Sequence, residues 1–136
     1  QKGHPIDDLK PVVTADDVIA CQEAIRDIHV DEKVKRYVLE VVHASWQHED
    51  VLLGGSPRAS IALFRTAQAL AAVSSRDFAL PDDVKRMAQP VLAHRLILKP
   101  ESRLRKRTPA AVVHDIVMDA RVPLTERQVA GAVGYF

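Results

Sequence analysis

Residues 52–73, LLGGSPRASIALFRTAQALAAV, predict a long helix that starts after two glycines. Ser56 is a residue type favoured at the N-cap, and Pro57 suits the first helical position because its missing N–H would have no helical partner there anyway. Beyond them the apolar side chains recur with helical spacing, which predicts a helix from Pro57 to about Val73. The in-phase positions are Leu63, Phe64, Ala67, Leu70 and Ala71. The many alanines of this helix would let neighbouring backbones approach closely.

Two helices precede this one in the predicted fold. The first begins after Thr14, with Asp17 at the capping-box position three residues later. The second runs from about Asp31 to Ser45, and because only HVD separates the two, we expect a tight antiparallel pair. The apolar faces that would turn toward the core are Val18, Cys21, Ile25 and Ile28 in the first helix, and Val34, Tyr37, Val38 and Val41 in the second.

Two further helices complete an all-α fold, a small helical bundle of four main helices plus a C-terminal one. The fourth contains Pro90, which should kink or shorten it, and the C-terminal helix spans about 109–120. We expect loops at 47–55 and at 103–107, and an extended segment or one short strand at 95–98. The in-phase positions are Val84, Met87, Ala88, Val91 and Leu92, then Val112, Val113, Ile116, Val117 and Ala120.

Composition excludes several classes of function. The 136 residues suit one domain, and 47% apolar but only 4% aromatic residues suit a core of small aliphatic side chains. The net charge of +1 gives no global field for nucleic acid or an anionic membrane. Cys21 is the lone cysteine, so an internal disulfide is excluded. With no signal peptide and no membrane-spanning stretch in the sequence, we expect a soluble, cytoplasmic protein.

The ends of the chain differ from its middle. Residues 1–13, QKGHPIDDLKPVV, are polar and contain prolines, which is typical of a linker entering a domain. We therefore expect a linker at 1–13, one helical domain at 14–123 and a flexible tail at 124–136. Because the sequence does not begin with methionine, we expect it to be part of a larger protein.

No catalytic motif occurs in the chain. The phosphate-binding loop GxxxxGK followed by Ser or Thr is absent, as are HExxH and GxSxG. The six histidines include no pair at i, i+4, so we expect no metal site and no catalysis by this chain alone.

Three other features have structural and functional interpretations. Cys21 lies on the apolar stripe of the first helix, so we expect a buried, inert thiol. Trp46 is expected to be a partly buried packing residue rather than a stacking platform for a ligand. The basic stretch RLRKR, 103–107, is either a solvated loop or a phosphate-binding patch, although no aromatic residues accompany it.

Arg58 breaks a rule that the other helices keep. A helix N-terminus carries partial positive charge, so a cation in the first turn costs up to about 1 kcal/mol at the surface. The fourth helix instead has Asp82 and Asp83 at its first turn. Arg58 is either an ordinary surface arginine or, with exposed amides near the Gly-Gly pair, part of an anion site suited to phosphate.

Residues 52–98 closely resemble the C-terminal lid of MoxR-type AAA+ ATPases. The family's usual form is LGaSPRaslaLlraArAlA, then GRdfVtPdDVk, then pVLrHRl, and the similarity extends over nearly the whole chain. The family's SPR motif falls on Ser56, Pro57 and Arg58.

The resemblance implies a nucleotide-binding role for this motif. Its arginine, Arg58, would be the sensor 2 residue, which meets the γ-phosphate of ATP held with Mg²⁺ by the AAA+ core of the same chain. The lid would couple hydrolysis to conformational change in a chaperone-like assembly, contacting neighbouring subunits of a hexameric ring. The client protein is not identified. Structural or interface roles are implied for Arg76, His94 and Arg95.

The sequence departs from the family pattern at three places. Ser75 replaces the usual glycine of the GRD-F segment, which here reads Ser75 to Phe78. Leu80 stands where the fourth helix usually has a threonine N-cap, and Ser45-Trp46 where a Thr-Arg pair is common. Two alternatives stay open: a helix-turn-helix-like nucleic-acid-binding module that uses RLRKR and the fourth helix, and a stand-alone protein-interaction adaptor.

Overall fold

A computed structural model describes residues 9–123, and in this range the chain is mostly helical. The all-α prediction is confirmed, with one small two-stranded sheet added. In chain order the elements are α1 (Ala15–Arg26), α2 (Glu32–Gln47), β1 (Val51–Leu53), α3 (Pro57–Val73), α4 (Pro81–Leu92), a 3₁₀ turn (Ala93–Arg95), β2 (Ile97–Leu98), α5 (Pro100–Leu104) and α6 (Pro109–Asp119).

The core lies where α2, α3, α4 and α6 meet. The predicted faces of these helices are largely buried, because their small aliphatic side chains allow close packing. Pro90 lies inside α4, which ends two residues later at Leu92. The fully buried side chains include Val34, Tyr37, Val41, Leu63, Val84, Leu92, Val112 and Val113.

The expected tight pairing of α1 with α2 is wrong. α1 lies against α3 instead, and none of its residues is buried. The cause is the connection between α1 and α2, which is tied to the loop after α3: the His29 N–H donates to the Asp77 carbonyl at 2.8 Å, and the Ala79 N–H donates to the His29 carbonyl at 2.9 Å. This pairing of His29 with the loop after α3 turns α1 away from α2. The capping box of Thr14 and Asp17 is present as predicted.

The position of α1 overturns the expectation for Cys21. Its thiol is exposed rather than buried, because only the C-terminal part of the predicted stripe, Ile25 and Ile28, is partly covered. Val18 is 46% exposed.

Two segments expected to be loops contain regular structure. Val51–Leu53 forms β1, which pairs antiparallel with β2, so the loop prediction for 47–55 is wrong at its centre. The short strand predicted as one alternative for 95–98 is confirmed at Ile97–Leu98. In the basic stretch 103–107, Leu104 ends α5. The linker prediction for 1–13 falls largely, and the tail prediction for 124–136 entirely, outside the described residues.

Candidate functional site

The Arg58 guanidinium lies exposed in the first turn of α3. Within residues 9–123 it has neither a hydrogen bond nor an ion pair, and the first turn of α3 has no acidic residue. The matching turn of α4 carries Asp82 and Asp83. The positive charge at this helix end is therefore not neutralised by the part of the chain that the structure describes.

The two residues before Arg58 leave the helix end open. Ser56 is the N-cap with extended backbone, φ −73° and ψ 168°, but its hydroxyl makes no capping hydrogen bond. Pro57 has no N–H, and the Ala59 N–H donates to the Ser56 carbonyl at 2.7 Å. The predicted N-cap position is correct, whereas the side-chain capping bond that usually accompanies it is missing.

The glycine pair before α3 packs against the end of α2 and does not face solvent. Both glycines are buried. The Gly55 N–H donates to the Ser45 hydroxyl at 2.8 Å, and the Gly55 carbonyl accepts from the Trp46 indole at 2.7 Å. The N–H and the C=O of Gly55 are therefore both bonded to the end of α2, and the exposed amides expected near the glycine pair do not include the Gly55 N–H.

Trp46 is half exposed, at 51%, with its indole nitrogen fixed on Gly55. Its ring borders a shallow, mostly apolar groove between α2 and the start of α3, together with Leu39, His43 and Pro57. Trp46 therefore combines packing with one specific hydrogen bond, and part of its ring surface faces this groove.

The Arg76 side chain is bound inside the domain. It makes a bidentate ion pair with the buried Asp83, at 2.8 and 2.6 Å, and donates to the Phe78 carbonyl at 3.0 Å. The hydrogen bonds that Arg76 donates to Asp83, together with the negative charge of Asp83, raise the pKa of Arg76. Asp83 also accepts from the Leu80 N–H at 2.8 Å. This is one of the two bonds of a capping box, and the other is missing because leucine has no side-chain acceptor. This geometry supports the structural role for Arg76.

The other two predicted interface residues lie close together. His94 and Arg95 are exposed in the 3₁₀ turn, and an Arg95 guanidinium nitrogen lies 2.6 Å from His94 Nε2. The same nitrogen donates to the Val91 carbonyl. This site is separate from Arg58 in sequence, and its interface role stays a prediction.

A polar cluster that sequence reasoning missed joins distant parts of the chain. Asp50 is buried and accepts from the Ser102 hydroxyl at 2.6 Å and from Arg107 Nε at 2.9 Å. Arg107 also pairs with Asp115 in α6. The Ser102 bond, with Arg107, lowers the pKa of Asp50, and Arg107 lowers that of Asp115. The side chain of Arg107 therefore belongs to this cluster rather than to a free basic patch.

Arg107 reaches the cluster through a left-handed residue. Lys106 has φ 61°, its N–H donates to the Arg103 carbonyl, and the Arg107 N–H donates to the Ser102 carbonyl. These two bonds form a Schellman motif, which reverses the chain at a helix end. No sequence signal pointed to it, because glycine is the usual residue there.

The described range contains neither a metal-binding cluster nor a membrane-spanning helix. Among residues 9–123 no group of three or more His, Cys, Asp or Glu side chains could hold a metal ion. No helix in that range is long and apolar enough to cross a membrane.

The chain is similar to known proteins over most of its length. A family model described as "AAA lid domain" matches residues 43–116. The "Uncharacterized protein YeaC" of Bacillus subtilis (strain 168) is 39% identical over 124 residues, covering 91% of this chain and 39% of that protein. "Chaperone MoxR1" of Mycobacterium tuberculosis is 29% identical over 123 residues, covering 84% of this chain and 33% of that protein.

A solved structure has the same fold. The crystal structure of a Cytophaga hutchinsonii protein described as a "putative ATPase" superposes with a TM-score of 0.80 at 27% identity, covering 85% of this chain and 38% of that one. The chain thus spans between a third and two fifths of the length of the relatives it matches.

Proposed function

We propose that this chain, which belongs to the AAA lid domain family and resembles its MoxR-type members, closes over a nucleotide held by an AAA+ core. In this proposal Arg58 contacts the phosphate of that nucleotide. The family uses nucleotide and Mg²⁺ in its full-length proteins. Ser56 and Pro57 would shape the same site. The lid would convert the change from ATP to ADP into movement.

The observation that carries this proposal is the unpaired state of Arg58. Its guanidinium is exposed at the positive end of α3, and within residues 9–123 no carboxylate balances it. An anion would relieve the unfavourable interaction with the helix dipole and accept charge-assisted hydrogen bonds. Because the chain has no phosphate-binding loop, the anion must be bound mainly by another domain.

The remaining partners follow from the same premise. The core would belong to the same protein, since the relatives are more than twice as long as the matched region. Neighbouring subunits of a ring, hexameric in our proposal, would contact the lid, with the cytoplasm as its compartment. The chain alone would not hydrolyse ATP.

The experiment compares Arg58→Ala with Arg65→Ala in the full-length protein. Both arginines are exposed on α3, but Arg65 bonds to Gln68 at 3.0 Å and is placed away from the helix start. We expect Arg58→Ala to lower ATP turnover about 100-fold, the size of effect seen when one donor to a developing charge is removed. Arg65→Ala should stay near wild type. Unchanged turnover in Arg58→Ala, with the fold intact by circular dichroism, would reject the proposal.

A further inference from the structure

We propose that Ser45 and Trp46 are positioning residues, which hold Gly55 and thereby set the direction in which Arg58 leaves the start of α3. The inference rests on the proposed function of Arg58 and assigns a task to residues outside the Ser56–Arg58 motif.

The first observation is that both main-chain polar groups of Gly55 are bound by consecutive side chains of α2. Ser45 is fully buried and its hydroxyl is used twice, donating to the Val42 carbonyl at 2.6 Å and accepting from Gly55 at 2.8 Å. The Trp46 indole N–H donates to the Gly55 carbonyl. With both groups fixed, the peptide plane on either side of Gly55 has little freedom to rotate.

The second observation is the close approach at Gly54. A Cβ atom added there would lie 2.8 Å from Ser45 Oγ and 2.8 Å from Trp46 Cγ, closer than real Cβ contacts. At Gly55 an added Cβ would lie 3.2 Å from Val42 Cγ1. The glycine pair is therefore pressed against the end of α2, and its role here is contact rather than flexibility.

The third observation is that the first turn of α3 lacks the usual side-chain stabilisation. The Ser56 hydroxyl makes no capping bond, and the first turn has no acidic side chain. Only Ser56 and Pro57 separate Gly55 from Arg58, and the ring of Pro57 restricts its φ. A displacement of Gly55 is thus transmitted to Arg58 through a short and stiff segment. Bidentate contacts of arginine with phosphate are sensitive to orientation, so a small rotation would weaken them.

The test uses the full-length protein and two substitutions that remove one bond each. Trp46→Phe keeps a ring but loses the indole N–H, and Ser45→Ala loses the hydroxyl. Ser45→Thr keeps a hydroxyl at this position. Tyr37→Phe is the matched control, because it removes a buried hydroxyl from the same helix that has no partner among the described residues. Isothermal titration calorimetry with Mg-ATPγS and with Mg-ADP measures the affinity of each variant for each nucleotide. The ratio of these two affinities is the preference for ATPγS over ADP.

We expect Trp46→Phe and Ser45→Ala to reduce the preference for ATPγS over ADP roughly fivefold, as for the loss of one hydrogen bond. Ser45→Thr should recover part of this preference and Tyr37→Phe should keep all of it. In an Arg58→Ala background the same changes should have no further effect, because they act through Arg58.

Two results would overturn the inference in distinguishable ways. If Arg58→Ala lowers the preference while folded Trp46→Phe and Ser45→Ala leave it unchanged, the two residues do not position Arg58 and the proposed function stands. If Arg58→Ala itself leaves the preference unchanged, the proposed function and the positioning role both fall. Should Ser45→Ala not fold, Trp46→Phe alone decides between these outcomes, since its indole is half exposed.

Discussion

Arg107 and Asp50 lie 57 residues apart in the sequence, and Nε of the one donates to Oδ2 of the other at 2.9 Å. The bond joins the turn after α5 to the residue that precedes β1. Because Arg107 also pairs with Asp115, a single side chain connects the sheet with α6. Asp50 is only 6% exposed, so it depends on these partners to remain charged.

Arg107→Ala should therefore lower the thermal stability of the isolated domain, because it leaves the buried Asp50 carboxylate with Ser102 as its remaining side-chain donor. Arg103→Ala and Arg105→Ala are matched controls, since both side chains are exposed on the same turn. We expect a clear drop in melting temperature for Arg107→Ala and changes near zero for the controls, measured by circular dichroism. Equal melting temperatures in all three variants would contradict the assigned role.

The same cluster predicts a pH dependence. The pKa values of Asp50 and Asp115 are lowered in the folded protein, so the folded state binds fewer protons than the unfolded chain as the pH falls. Their contribution to stability is present above the usual carboxyl pKa of about 4 and is lost as the pH falls through the lower, folded values. Urea titrations between pH 6 and pH 3, chosen around that value, should show stability falling below about pH 4.

Asp115→Asn is the control for this pH effect. It removes one of the two shifted carboxyls of this cluster and leaves Asp17, whose pKa is lowered by hydrogen bonds from Thr14, in place. The decline below pH 4 should then be smaller than in the wild type. An identical decline would assign the effect to other carboxyls.

The nucleic-acid alternative can be tested without disturbing the cluster. It requires duplex binding that weakens steeply with salt. Arg107 is unsuited to the test because we expect its loss to lower the stability of the domain, whereas Arg103 and Arg105 are exposed. Under the lid proposal we expect fluorescence anisotropy to detect no salt-dependent binding of duplex DNA. Strong binding that is lost in the Arg103→Ala, Arg105→Ala double variant would favour the alternative.

Ser75→Gly should stabilise the domain. Ser75 has φ 56°, a left-handed conformation that disfavours residues with a Cβ, and its N–H donates one of the two bonds of a Schellman motif after α3. Glycine removes this strain but adds freedom to the unfolded chain, so we expect a net gain of about 0.5–1 kcal/mol in the free energy of unfolding.

Ser74→Gly is the matched control for Ser75→Gly. Ser74 is the C-cap with φ −87°, where serine is unstrained, so the same replacement should be neutral or destabilising. Urea unfolding of both variants gives the comparison. A loss of stability in Ser75→Gly equal to that in Ser74→Gly would show that the left-handed position carries no strain.

A structural feature could be predicted from the sequence where residues close together in the chain determine it. α3 was predicted with its observed bounds, because Ser56, Pro57 and the spacing of its apolar residues are all local signals. β1 was missed because a three-residue strand is defined only by its partner, β2, more than forty residues later. The bonds that hold Gly55 were missed for a related reason: they join residues nine and ten apart and depend on where α2 ends.

Cys21 provides a test of the position of α1. Periodicity placed this residue on a core-facing stripe, but the stripe is only partly covered, because the bridge between His29 and Phe78 draws the end of α1 toward α3 and leaves its start exposed. The thiol borders a groove whose far side is formed by Ala72 and Val73.

We expect a thiol reagent such as DTNB to modify about one thiol per chain in the native protein at a rate close to that in denaturant. The sequence contains a single cysteine, so the signal has one source, and Cys21→Ser gives the blank. Modification that requires denaturant would show that α1 is covered along its apolar face, as the sequence pattern alone suggested.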